Sequence, residues 1–164
     1  MTKLESFDRK LVNPMEQEIK PNWARPNLEK ERGEIERVIK EFLLEESTEE
    51  NIRRVINALE ASPLVDLSDS EWESLENTDS FHNIEPGHIE EAERITDEYN
   101  EELLPENKRD FQNILNSIMR GGNMEAPTIL KNKDGKLHLI SGNTRLMIAR
   151  ALRIRPKVII GQIT

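Results

Sequence analysis

The 164-residue chain reads as α+β, with a mostly helical N-terminal two-thirds followed by a ββαβ module. Three observations carry that reading. Apolar residues recur at three- and four-residue spacing in several segments ahead of Gly121. At Pro127 the texture changes to short apolar runs around Asn132-Lys-Asp-Gly135, and Asp-Gly between apolar runs is a hairpin signal. A helical stretch and a last β-branched run, Val158-Ile-Ile160, follow. The expected division is an irregular arm over 1–27, an acidic helical region over 28–105 and the ββαβ module over 106–164.

In the arm, Pro14, Pro21 and Pro26 forbid a continuous helix, and Trp23 is the residue expected to pin it to the body. A helix is predicted from Leu28 to Glu46, striped by Leu28, Ile35, Val38, Ile39, Phe42 and Leu43. Ser47-Thr-Glu-Glu50 has capping-box spacing and opens a second helix, striped by Ile52, Val55, Ile56 and Leu59 and ending before Pro63. The short loop makes the pair a helical hairpin. Ser68-Asp-Ser-Glu71 repeats the box ahead of Trp72 and Leu75. Asn77 to Asn83 has turn chemistry and no periodicity. A helix from Gly87 to Leu103 carries Ile89, Ala92, Ile95 and Tyr99 on one face; another, marked by Phe111, Ile114, Leu115 and Ile118, stops at Gly121-Gly122. Strands are expected at Thr128–Lys131 and Lys136–Ile140, a helix from Gly142 to Leu152 ended by Pro156, and a final strand at Val158–Ile160 with Ile163.

Composition excludes several classes. Charged residues make up 34% and hydrophobic ones 35%, and no apolar run approaches the ~20 residues a spanning helix needs. No membrane partner is expected. The start, MTKLESFDRKL, has acids and no apolar core, so no signal peptide is expected. The absence of cysteine excludes disulfides, thiolate chemistry and Cys-ligated zinc, and fits a cytoplasmic location. The net charge of −9 hides an asymmetry. Residues 125–164 carry eight Lys/Arg against two acids, whereas the first 124 residues carry 15 basic and 30 acidic side chains. A basic module joined to an acidic one leaves room for a phosphate site.

The stretch that carries chemistry is Ser141-Gly-Asn-Thr-Arg145. A strand ends just before it and a helix opens within it. The first turn of a helix presents unpaired N–H groups and the positive end of its dipole. Gly142 lets an anion approach the backbone, Ser141, Asn143 and Thr144 add short donors, and Arg145 adds a charged fork. The plainer reading is that Ser141 or Asn143 caps the helix and Arg145 faces solvent.

The order Pro127-Thr-Ile-Leu, Asp134-Gly, Leu137-His-Leu-Ile-Ser-Gly-Asn-Thr-Arg145, Ala149-Arg-Ala-Leu and Pro156-Lys-Val-Ile-Ile resembles the nucleotide-binding domain of the ParB/sulfiredoxin superfamily. Gly142-Asn-Thr-Arg145 stands where that superfamily has its G-x-x-R box, and the likeness covers about residues 106–163. It implies a nucleoside triphosphate with Mg²⁺, bound for a switch, for hydrolysis or for phosphoryl transfer to a hydroxyl acceptor. The departures narrow this. No cysteine exists for sulfiredoxin chemistry, Asn143 and Thr144 replace the Glu-Arg of ParB, and the helix-turn-helix and dimerisation parts of ParB are not expected.

Outside the box, Asp79 is the candidate base or Mg²⁺ ligand, in a polar turn with Ser80. With Arg145 it completes the expected catalytic pair. His82, His88, Glu85 and Glu91 cluster near it, either as metal ligands or as part of a solvated acidic surface. His138 either faces solvent or lines the ligand cleft. Arg150, Arg153, Arg155 and Lys157 form a basic run that would touch a nucleic-acid backbone if exposed together. The leading expectation is an NTP-binding protein that hydrolyses the nucleotide or transfers its phosphoryl group to a small molecule or nucleic acid. The alternatives are a nuclease-like nucleic-acid-binding module and a protein-interaction factor that binds a protein partner through its acidic helices.

Overall fold

The computed structural model describes residues 20–75 and 84–163. The chain is mixed α and β, consistent with the α+β class. Its strands are β1 (Asn22–Ala24), β2 (Leu64–Asp66), β3 (Asn123–Glu125), β4 (Thr128–Lys131), β5 (Leu137–Ser141) and β6 (Lys157–Gln162). Its helices are α1 (Arg32–Glu41), α2 (Glu49–Glu60), α3 (Asp69–Ser74), α4 (Ile89–Glu102), α5 (Phe111–Met119) and α6 (Asn143–Ala151). Contacts group the described residues into two compact units. One holds 23–75, 125–143 and 156–163; the other holds 20–22, 84–124 and 144–155.

The first unit is built on a four-stranded sheet in the order β2-β6-β4-β5. The predicted hairpin is present: β4 and β5 pair antiparallel with Leu130 opposite His138 and Lys131 opposite Leu137. The turn between them is closed by Asn132, whose Oδ1 accepts from the N–H groups of Asp134 (3.0 Å) and Lys136 (2.9 Å). β6 runs parallel to β4, as a strand reached through a helical connection can. On its other side β6 pairs antiparallel with β2, Leu64 opposite Ile159. Strand β2 lies in the region expected to be an acidic helical one; three residues give no countable alternation, so the sequence pattern does not reveal it.

The α1–α2 hairpin covers one face of this sheet. Ile35, Val38 and Ile39 of α1 and Ile52, Val55, Ile56 and Leu59 of α2 form one core with Leu130, Ile140, Ile159 and Ile163. Gly161 lies where a Cβ would meet Leu59 Cδ2 at 2.9 Å, so the missing side chain lets α2 settle onto β6. Ile129, Leu139 and Val158 point the other way along their strands and are buried too. A sheet buried on both faces reads as continuous apolar runs rather than alternation.

Several boundaries shift for identifiable reasons. The first predicted helix begins as a 3₁₀ turn, Leu28–Glu31, capped by Asn27, and α1 ends at Glu41 rather than Glu46. Leu44 takes a positive φ of 58°, the left-handed residue at which helices commonly stop, and the Glu45 N–H closes on the Ile39 carbonyl at 3.0 Å. The cap of α2 is Thr48, one residue past the expected Ser47; its hydroxyl accepts from the Asn51 N–H at 3.1 Å. Ser47 instead donates to the Glu36 carbonyl at 2.7 Å. The second box is present as read: Ser68 Oγ accepts from Glu71 N–H, and Glu71 Oε1 accepts from Ser68 N–H. Trp72 is buried at 6% exposure. Within the described end of the arm Trp23 is half-buried, and Arg25 is fastened to α2. The Arg25 guanidinium donates to the carbonyls of Leu59, Glu60 and Ser62 at the end of α2, at 3.1, 3.0 and 2.6 Å.

In the second unit, α4 buries Ile89, Ala92 and Ile95, and α5 buries Phe111, Leu115 and Ile118. The Asn100 side chain clasps the backbone of Arg109, accepting from its N–H and donating to its carbonyl, both at 2.8 Å. That places the Arg109 guanidinium 5.5 Å from the centre of the Tyr99 ring. Helix α6 is apolar nearly all round. Leu146, Met147, Ile148, Ala149 and Ala151 are each 0% exposed, the signature of a helix enclosed on every side. Its last turn is fastened by the Ile84–His88 segment: Arg150 Nε donates to the Ile84 carbonyl at 2.8 Å, and the Gly87 N–H donates to the Ala151 carbonyl. No helix among the described residues is long and apolar enough to cross a membrane.

Candidate functional site

Strand β5 delivers the chain to the Ser141–Arg145 turn. Counting back from the hairpin turn would set Thr128 opposite Ile140. A register shift between Thr128 and Ile129 sets it opposite Ser141 instead. The two hydroxyls lie 3.2 Å apart. A bulge at this position re-aims the strand end. Counting residues across the Asp-Gly turn is the only sequence signal for this neighbour, and the bulge defeats it.

Gly142 follows with φ +105°. A β-branched or bulky residue is a steric outlier there, so the turn requires glycine. Because Gly142 precedes α6 and has no side chain, it offers the helix no side-chain cap. Asn143 and Thr144 open the nine-residue helix, each only 5% exposed. Asn143 Oδ1 and Nδ2 and Thr144 Oγ1 are buried and make no hydrogen bond. Native proteins satisfy the great majority of buried polar atoms, so three orphans on consecutive residues call for an explanation. Arg145 is half-buried on the same turn. The local geometry is therefore a glycine turn at a helix start, followed by two neutral hydrogen-bonding side chains with unused capacity.

The other candidate residues fall elsewhere. Asp79 lies outside the described residues, as do Asn77, Ser80, Phe81 and His82. His138 corrects the expectation that it faces solvent. It shares the face of Leu130 and Ile140, is 7% exposed, and stacks on Phe42 with ring centres 4.9 Å apart. The strand is buried on both faces, so alternation with Leu137 and Leu139 does not send it to water.

His88 is exposed at the start of α4 without capping it. Glu91 is held by Arg94 at 2.8 Å, and Arg94 also holds Glu98 at 2.6 Å. Among the described residues no group of three His, Asp or Glu side chains is placed to hold a metal. The basic run is divided in its work. Arg150 is bonded to the Ile84 carbonyl, and Lys157 pairs with Asp66 at 3.0 Å. Arg153 and Arg155 are exposed, Arg153 with a positive φ of 62°. Comparison with known proteins gives no matching family model, no matching curated protein and no matching solved structure.

Proposed function

We propose that the chain binds a phosphate-bearing ligand, a nucleoside triphosphate in the leading reading, at the Ser141–Arg145 turn. The observation that carries this is the pair of buried, unpartnered side chains, Asn143 and Thr144, immediately after a glycine at φ +105° and at the head of a helix. Burying a polar group without a partner costs about 1–3 kcal/mol, and a bound anion would recover that cost. The first-turn N–H groups and the Arg145 guanidinium would supply the positive field.

The nucleotide and the chemistry come from the likeness to the ParB/sulfiredoxin superfamily. Hydrolysis or transfer would have water or an acceptor hydroxyl attack the γ-phosphorus while the β–γ bridging oxygen leaves on the diphosphate. Arg145 would offset charge on the phosphoryl oxygens, and Asp79 would take the attacking proton. The described donors at the turn are neutral oxygens with no carboxylate among them. They do not make a resident Mg²⁺ site, and Mg²⁺ would arrive with the nucleotide.

The test is a thermal-shift screen against ATP, CTP, GTP and UTP, with and without Mg²⁺. A nucleotide at ~100 times its dissociation constant stabilises by about 2.7 kcal/mol. Arg145→Ala should weaken binding roughly 10- to 100-fold through loss of a charged hydrogen bond. No shift with any nucleotide, or an unchanged shift in Arg145→Ala, removes the reading.

A further inference from the structure

We infer that Thr128 is a positioning residue for Ser141: its buried hydroxyl fixes the Ser141 hydroxyl as a hydrogen-bond donor to the ligand's phosphate. This rests on the phosphate reading above and adds to it a residue from outside the Ser141–Arg145 turn. Thr128 and Ser141 belong to the same compact unit.

Burial sets the direction of the bond between them. The two hydroxyl oxygens lie 3.2 Å apart, and on distance alone either could donate. Thr128 is 0% exposed, so bulk water does not reach its proton. Among the described residues its hydroxyl bonds to Ser141 Oγ, and a buried hydroxyl left without a partner is costly. Ser141 is half-buried and does not depend on Thr128 to take its proton. Thr128 therefore donates, and Ser141 accepts.

That direction decides what Ser141 can do. A serine hydroxyl has one proton and two lone pairs. With one lone pair engaged, its proton is turned away from Thr128, at the strand end immediately before Gly142. Accepting one hydrogen bond also polarises the hydroxyl and strengthens the bond it gives. Ser141 is thereby suited to an acceptor-only group such as a phosphate oxygen. It is not prepared as a nucleophile, which needs a neighbour that removes its proton; Thr128 gives one instead.

The register shift between Thr128 and Ile129 makes this contact, since an unshifted hairpin would set Ile140 opposite Thr128. Thr128 is held from the other side too, where β4 pairs it with Ile159 of β6. A side chain carried by an inner strand places its neighbour more precisely than one carried by a loop.

The experiment titrates the whole chain by calorimetry with tripolyphosphate, ATP, CTP, GTP and UTP at fixed ionic strength, and carries the tightest binder through the variants. Ser141→Ala should weaken it about tenfold, through loss of one hydrogen bond to a charged group. Thr128→Val keeps the shape and removes the hydroxyl, and should weaken it about three- to fivefold. Thr128→Ser should restore wild-type affinity to within about twofold, and in the Ser141→Ala background Thr128→Val should change affinity by less than about twofold. The Tm of each variant shows that it is folded, and Thr128→Ala takes the place of Thr128→Val if the latter is not.

Wild-type affinity in Thr128→Val, a loss that Thr128→Ser does not restore, or an equal loss with and without the Ser141 hydroxyl overturns the inference. Unchanged affinity in Ser141→Ala overturns it as well, while Arg145→Ala still reports on the phosphate site. Failure of all five probes to bind removes the phosphate reading itself.

Discussion

Helices α3 and α6 begin in opposite ways. At the head of α3, Ser68 and Glu71 exchange two hydrogen bonds, and each side chain answers the other's backbone. At the head of α6 stands a glycine, and the next two side chains keep three buried polar atoms unmet. Thr48 and Asp110 close α2 and α5 in the manner of Ser68, accepting from Asn51 and Asn113 N–H groups at 3.1 Å each. Helices α1 and α4, like α6, begin without a side-chain cap, but among the described helices only at α6 do both of the first two side chains hold buried atoms with no partner. Three such atoms on two adjacent residues at one helix start are what the proposed ligand site rests on.

The largest effect should come from the turn itself. Gly142→Val forces a β-branched residue to φ +105° and should cost about 1–3 kcal/mol in urea unfolding. An unchanged unfolding midpoint would mean that the turn has relaxed into another shape.

The sharpest contrast pairs two single substitutions. Ser68→Ala should destabilise by about 1 kcal/mol, since it strips a working cap. Thr144→Val removes a hydroxyl that has no partner, so without ligand it should be neutral or stabilising by up to about 1 kcal/mol. It should also weaken the nucleotide-induced rise in Tm. If both variants lose the same stability, the two helix starts are alike and the comparison collapses.

The smallest effect concerns α2, whose first-turn Glu49 is paired with Arg32. The hydrogen bond from Arg32, and then its charge, hold the Glu49 carboxyl below the usual carboxylate range. A lowered carboxyl stabilises the fold above its unfolded pKa and loses that contribution as pH falls through the folded value. Glu49→Gln should therefore lower stability slightly at neutral pH, leave it unchanged at low pH where the carboxyl is protonated anyway, and so flatten the acid limb of the stability–pH curve. The pair is exposed, so salt should mute the difference further.

The sequence discloses these regions unevenly, for physical reasons. Long striped helices are legible because 3.6-residue periodicity accumulates: Ile52, Val55, Ile56 and Leu59 are all buried as their spacing requires. The Asp-Gly hairpin is legible because few residues tolerate its turn. Strands β1, β2 and β3 are not, each being three residues long. Alternation gives the two faces of β5 and says nothing of whether either meets water, which is why the solvent-facing reading of His138 fails. At the turn, residue types point to anion chemistry, but nothing in Asn143-Thr144 announces that both side chains are buried.

Strand β6 has a consequence for the order in which the chain is made. It is central in its sheet, pairing with β2 on one side and β4 on the other, yet it is the last strand of that sheet to be synthesised. At about 5–20 residues per second, Asp66 waits roughly 5–18 s before Lys157, its sheet partner, exists. Through that interval Leu59, Ile56 and Leu64 have no Ile159 to pack on, so a nascent chain shows this apolar face to the cell's chaperones before it can fold.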